Sequence, residues 1–192
     1  MIIVKSLREI EIIREACRIV SLVFERLEGM IKPGVSTLDL DIEAGKVMTE
    51  NGATSGSLGY YGYPANICIS VNDTLVHGIP SNKIILREGD IVSLDVVAKY
   101  RGYYGDACRT YPVGTISQKA QRLVDTTRES FFAAVKLIKE GVRLGDICHT
   151  VQEYNESRGY SVARDYTGHG IGKDMHEDPV IPNYGTCGTG QS

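Results

Sequence analysis

The chain repeats itself, and the repeat restricts the fold more than any single motif does. A shift of 107 positions lays Ile31-Lys32, Gly34-Val35, Asp39 and Gly52 on Ile138-Lys139, Gly141-Val142, Asp146 and Gly159. Each set runs from the end of one helical pattern through a turn and along a second helix, so the chain reads as two copies of one supersecondary unit. Helix-turn-helix joints favour glycine in any protein, which accounts for part of the match. If the copies are equivalent, Ser192 corresponds to Ile85. The hairpin expected in the first copy would then have no counterpart in the second.

The elements follow from local pattern. Ser6 and Glu9 form a capping box, followed by Ile10, Ile13, Cys17, Val20, Phe24 and Leu27 at three- and four-residue steps until Gly29 and Pro33. A second helix starts at Ser36 or Thr37 and ends near Gly52. Ile67, Ile69 and Val71 alternate with Cys68 and Ser70 as in a half-buried strand, and Asn72-Asp73 mark a turn. Strands over 91–99 and 103–113 meet through Tyr100-Arg101-Gly102 as a hairpin. Helices over 117–140 and 145–158 follow. The class is α+β, with helices packed on an antiparallel sheet.

Composition excludes several function classes. With 192 residues, 42% of them hydrophobic, the chain buries one sizeable core, which places residues 1–192 in a single domain rather than a disordered tract. A net charge of -3 without a basic run gives no footprint for nucleic acid. Lys5, Arg8, Glu9 and Glu11 interrupt any signal-peptide stretch, and no apolar run is long enough to span a bilayer, so the expected location is the cytoplasm. The cysteines, Cys17, Cys68, Cys108, Cys148 and Cys187, are odd in number and lack a CxxC pair; they are expected to be reduced and mostly buried.

Chemistry concentrates in the hairpin and near the end. A connection at Tyr100-Arg101 sets Asp95 opposite Asp106, and one at Arg101-Gly102 makes them diagonal neighbours; either way both carboxylates share a face. Directly opposed Cβ atoms lie roughly 4.5–5.5 Å apart, where like charges repel unless a cation or shared proton intervenes. An isolated Asp commonly sits at a solvated strand end, but Asp95 is flanked by Val92, Leu94, Val96 and Val97. His169 lies between Gly168 and Gly170, which would let backbone approach a metal or substrate closely, and His176 lies beside Met175. The bland readings are a flexible turn and ordinary polar histidines. His77, in Val76-His77-Gly78-Ile79-Pro80, could shuttle a proton.

Together, Tyr60-Tyr61-Gly62-Tyr63-Pro64, Cys68-Ile69-Ser70-Val71-Asn72, His77-Gly78-Ile79-Pro80, the Asp95 and Asp106 strands, and Tyr166-Thr167-Gly168-His169-Gly170-Ile171-Gly172 with His176 resemble the type I methionine aminopeptidases. The resemblance implies the pita-bread fold of creatinases and aminopeptidases: two pseudo-symmetric halves with helices on a curved antiparallel sheet, the second half incomplete here. It implies removal of the initiator methionine from nascent polypeptides, at the ribosome, when the next residue is small. By resemblance Asp95, Asp106 and His169 are metal ligands, Asp106 bridging two divalent ions (Co, Mn, Fe or Zn). His77 and His176 contact the substrate and assist catalysis, and Tyr60, Tyr63, Cys68 and Met175 line the methionine pocket.

The family's pattern also has two glutamate ligands beyond Gly190, which no residue of the chain matches, and Glu177 fits neither position. The expectation is therefore a peptidase domain lacking its C-terminal strands, holding one ion or none and impaired in activity. A monomer is expected, with no nucleic-acid or membrane partner. Two alternatives share the fold: a proline-specific peptidase, against which the short N-terminal region and the tyrosine-rich pocket stand, and a non-catalytic binding module.

Overall fold

In the computed structural model, which describes residues 1–192, Ser6 and Glu9 cap the first helix as their spacing predicts. The Ser6 hydroxyl accepts from the Glu9 amide at 3.4 Å and the Glu9 carboxylate accepts from the Ser6 amide at 2.8 Å. Helix α1, Leu7–Glu28, buries Ala16, Ile19, Val20, Val23, Phe24 and Leu27. That stripe is rotated from the one read off the sequence: Cys17 is exposed and Ile10 is 38% exposed. The rotation has a steric cause. A Cβ on Gly105 would lie 2.6 Å from the Ala16 carbonyl carbon and from the Cys17 nitrogen, so helix and strand backbones meet there with Ala16 buried between them.

Two units divide the chain, the larger comprising Ile3–Ser117 and Ile171–His176, the smaller Met1–Ile2, Gln118–Gly170 and Glu177–Ser192. In the larger, α1 and α2 (Thr37–Glu50) cover one face of an antiparallel sheet built from β1 (Thr54–Ser55), β2 (Cys68–Val71), β3 (Ile91–Tyr100) and β4 (Tyr103–Pro112). Strand β3 is central: β4 pairs along its whole length, while β2 and β1 pair with its first and last residues. The core joins Val23, Phe24 and Leu27 of α1 and Leu40, Ala44 and Met48 of α2 to Ile69, Val92, Leu94 and Val96 of the sheet. Strand β2 begins one residue later than its alternation suggests, and it is not half-buried: Cys68, Ile69 and Ser70 are all buried, so both its faces are covered.

Asp41 lies on the apolar side of α2 and is 4% exposed. Its carboxylate accepts from the amides of Asn66 at 2.8 Å and Ile67 at 2.9 Å and from the Asn66 side chain at 3.1 Å, which ties the approach to β2 down onto the helix.

The smaller unit holds α3 (Gln118–Val135), α4 (Leu144–Glu156) and the antiparallel pair β5 (Thr167–Gly170) and β6 (Glu177–Pro182). Its backbone repeats the larger unit's devices at the expected shift. The Gly52 amide bonds to Thr49 at 3.0 Å and the Ala53 amide to Met48 at 2.9 Å; 107 residues on, Gly159 bonds to Glu156 at 3.0 Å and Tyr160 to Asn155 at 3.1 Å. Both pairs are Schellman terminations, with φ of 72° at Gly52 and 84° at Gly159. Asp39 accepts from the Ser36 amide at 3.2 Å as Asp146 accepts from the Arg143 amide at 3.0 Å. The equivalence reaches the last residues: Thr37 donates to Ile84 at 2.9 Å and Leu144 donates to Gln191 at 2.8 Å.

Helix α3 ends at Val135 rather than near residue 140, at the position equivalent to Glu28, where α1 ends. The amides of Leu137 and Ile138 reach back only three residues, to Ala134 and Val135, so the last turn tightens and stops. Only Cys68 and Cys148 are buried, against the expectation that most cysteines are. No helix is long and apolar enough to cross a membrane.

Two consequences are measurable. Asp41→Ala removes the acceptor for the buried Ile67 amide and the half-buried Asn66 amide and should lower unfolding stability by about 2–4 kcal/mol in urea titration, with Asp41→Asn intermediate. Glu9 is held at about 2, below its ordinary 4.5, by the Ser6 amide and hydroxyl and by the Tyr103 hydroxyl at 2.7 Å. Its folded pKa is depressed, so its contribution is complete above about pH 4.5 and disappears as pH falls through about 2. The stability gap between the wild type and Glu9→Gln should close over that window and stay constant above it.

Candidate functional site

The connection between β3 and β4 is Arg101-Gly102, with φ of 47° and 84°. A two-residue hairpin turn of this kind needs positive φ at both positions, and glycine supplies one of them without strain. Placing the turn one residue earlier would exclude Gly102 and force Tyr100 into that conformation. The register follows: Asp95 pairs with Cys108 and Val97 with Asp106. The two aspartates are thus diagonal neighbours on one face, the second of the two arrangements the sequence allowed. Diagonal neighbours lie about 7–8 Å apart, their Cβ atoms somewhat less, which leaves room for one cation between the two carboxylates.

The same alternation separates the sheet's two faces. Val92, Leu94 and Val96 enter the core under α1 and α2. Ser93, Asp95 and Val97 point the other way, in rows with Ser70 and Thr110, with Cys68 and Cys108, and with Asp106. The Ser93 and Thr110 hydroxyls join at 2.8 Å. Burial, and then the charges of Asp95 and Asp106, push the Cys68 thiol up, which keeps it neutral beside the carboxylates.

Tyr63 also faces this region. Its hydroxyl donates to the Gly78 carbonyl at 2.8 Å, with the Ile67 carbonyl at 3.2 Å, and burial pushes the phenol up. Gly78 in turn accepts from the Ile69 amide at 2.9 Å and donates to the Ser70 hydroxyl at 3.2 Å. His77 precedes this anchored glycine and sits exposed in the left-handed region, φ 58°. Few non-glycine residues adopt that conformation, and the Gly78 contacts on both sides hold it.

His176 ends the segment that joins the larger unit. Gly172 accepts from the Tyr104 amide at 3.0 Å, Lys173 lies 5.9 Å from the Tyr103 ring, and Met175 is buried. Tyr60, on the short turn Tyr60–Gly62, brings its hydroxyl to 2.7 Å from His176 Nδ1. His169 lies in the smaller unit on β5, paired with Val180 just before a bulge. Its Nδ1 is 2.9 Å from the Gly170 carbonyl, which can only accept. Nδ1 therefore carries the proton, and the neutral ring has its lone pair on Nε2, the form a metal ligand requires.

Neither unit holds three His, Cys, Asp or Glu side chains grouped to chelate an ion by themselves. The larger holds the two carboxylates; their shared face, oxygen chemistry and neutral thiol neighbour suit a hard or borderline divalent ion.

The sequence reading missed Asp41 and Asn66, whose contacts hold the entry to β2. A signal was present, since Asp41 falls in step with Thr37, Leu40, Ala44 and Met48 on the buried side of α2, and a carboxylate there needs donors. It also missed the pairing of Tyr60 with His176, which no local pattern announces.

A family model described as metallopeptidase family M24 matches residues 11–191. A methionine aminopeptidase of Clostridium acetobutylicum is 51% identical over 99% of this chain and 76% of its own length, and methionine aminopeptidase 1 of Bacillus subtilis is 49% identical over 96% and 74%. The crystal structure of methionine aminopeptidase from Thermotoga maritima superposes with a TM-score of 0.98 at 44% identity, covering all of this chain and 77% of that one. Matched along nearly its whole length in sequence and in backbone, the chain belongs to metallopeptidase family M24, the metallo-hydrolases of the pita-bread fold.

Proposed function

We propose that this chain is a methionyl aminopeptidase, a metal-dependent exopeptidase that removes the initiator methionine from nascent polypeptides when the second residue is small. It would act in the cytoplasm, as a monomer, on chain ends emerging from the ribosome. The observation that carries the reading is the register that sets Asp95 and Asp106 on one face of β3 and β4, diagonal to each other and backed by an aliphatic core. The methionine aminopeptidases among its relatives support the substrate.

Asp95, Asp106 and His169 would hold the divalent ions; Co, Mn, Fe and Zn all accept such donors. Bound there, the ions would supply a water of lowered pKa and polarise the scissile carbonyl. The remaining work falls to the chain. Tyr63 has its hydroxyl committed to Gly78, so it would offer its ring rather than its OH to the methionine side chain. Cys68, Tyr60 and Met175 complete a soft, aromatic lining suited to a thioether. His77, held by the Gly78 anchor, would meet the substrate amide, and His176 would donate to the oxygen on which negative charge develops.

Three donors are fewer than two ions ordinarily take from a protein. Titrating residues 1–192 with Co²⁺ and following its visible absorption should show at most one weakly bound ion, and Asp106→Asn should abolish even that. In peptidase assays with added Mn²⁺ or Co²⁺, residues 1–192 should turn over Met-Ala peptides slowly at best and Xaa-Pro peptides not at all. Rapid hydrolysis of the first would show that three donors suffice. Hydrolysis of the second would move the reading to a proline-specific peptidase.

A further inference from the structure

Tyr60 was assigned above to the lining of a pocket, yet its hydroxyl does something more specific. It lies 2.7 Å from Nδ1 of His176, a residue 116 positions away in the chain. The two rings are also in contact, with centroids 5.4 Å apart at 37°, and Tyr61 packs edge-on against Tyr60 at 4.7 Å and 84°. The phenol is thus held from both sides and aimed at one nitrogen.

We propose that Tyr60 is a positioning residue for His176: its phenol donates to Nδ1 and fixes the neutral imidazole in the tautomer that carries its proton on Nε2. The inference rests on the role given to His176 above and supplies the reason His176 can fill it. Burial, followed by the neighbouring Tyr61, Tyr104 and Asp174, pushes the Tyr60 phenol up, so the phenol keeps the proton it donates. An O–H···N bond of this length needs one partner to give a proton and the other a lone pair. With the proton from Tyr60, the ring's own N–H is left on Nε2.

The consequence is a division of labour between two histidines. His169 gives its Nδ1 proton to the Gly170 carbonyl and presents a lone pair at Nε2, as a metal ligand must. His176 receives a proton at Nδ1 and presents N–H at Nε2, as a donor to a developing oxyanion must. Opposite second partners give chemically identical rings opposite roles.

The test reads the ring directly and needs neither metal nor peptide, so its outcome is separate from whether the chain hydrolyses Met-Ala. Long-range ¹H–¹⁵N spectra of the histidine-labelled 192-residue chain, above the imidazole titration, contain four rings, with His176 assigned by its loss in His176→Gln. The expected result is a protonated Nε2 and an unprotonated Nδ1 shifted from the free-histidine value by the phenol's hydrogen bond. In Tyr60→Phe that shift should vanish and the Nδ1–H tautomer should become populated, while Tyr61→Phe leaves His176 unchanged. A protonated Nδ1 in the wild type, or ring nitrogens unmoved in a folded Tyr60→Phe, overturns the proposal. Should Tyr60→Phe fail to fold, as judged from the other three rings, the wild-type tautomer alone decides.

Discussion

The pairing register of β3 against β4 is set by a two-residue turn, and the larger unit depends on it. Because side chains alternate with period two, the register decides which residues of β4 line up with each face of β3. Slipping one strand by a single residue would turn its aspartate toward Phe24 and Leu27 and its apolar neighbours toward the polar face. Burying a lone carboxylate in that core costs several kcal/mol, a large share of the stability of a domain this size. The hydrophobic core and the acidic face therefore specify each other.

The internal repeat works at a different level. Little of the amino-acid sequence is shared between the copies beyond a few glycines, aspartates and apolar positions. What is conserved between them is backbone hydrogen bonding: a capping carboxylate three residues into the second helix, a Schellman termination after it, and a bond from the helix start to a residue 47 positions on, Thr37 to Ile84 in one copy and Leu144 to Gln191 in the other. Asp39, Asp146, Gly52 and Gly159 recur because those geometries admit few other side chains. The surrounding residues are free to differ, and they do: α2 is capped reciprocally by Ser36 and Asp39, whereas α4 has Arg143 at its N-cap and Asp146 alone supplies the side-chain acceptor.

Features with a local cause were legible in the sequence. The capping box of Ser6 and Glu9, the repeat and the shared face of Asp95 and Asp106 follow from spacing alone, and the choice between the two hairpin connections could have been made from Gly102, since a primed turn gains most when glycine occupies it. The end of α3 was misread because the apolar period continues through Leu137 and Ile138, although the repeat already placed the stop opposite Glu28. The buried stripe of α1 was misread for a tertiary reason. Periodicity finds a helix's apolar side to within one residue, and the close approach of Gly105 to Ala16 settles which one. Tyr60 and His176 share no pattern at all, and only folding brings them together.

The polar face is held from outside its own strands. Asp41 fixes the chain entering β2, Tyr63 and Ser70 fix Gly78 beside His77, and the Tyr104 amide fixes Gly172 ahead of Met175 and His176. Each anchor uses a backbone group on one side and a residue of a helix, strand or turn on the other, so the chain beside His77 and ahead of His176 is positioned by rigid elements, and Tyr60 then meets His176 from its own turn. Loops held this way need little reordering when a ligand arrives, and the free energy otherwise spent on ordering them remains available to the contacts they make. That is why an exposed histidine in a left-handed conformation is compatible with a defined geometry: His77 is constrained through the backbone of its neighbour.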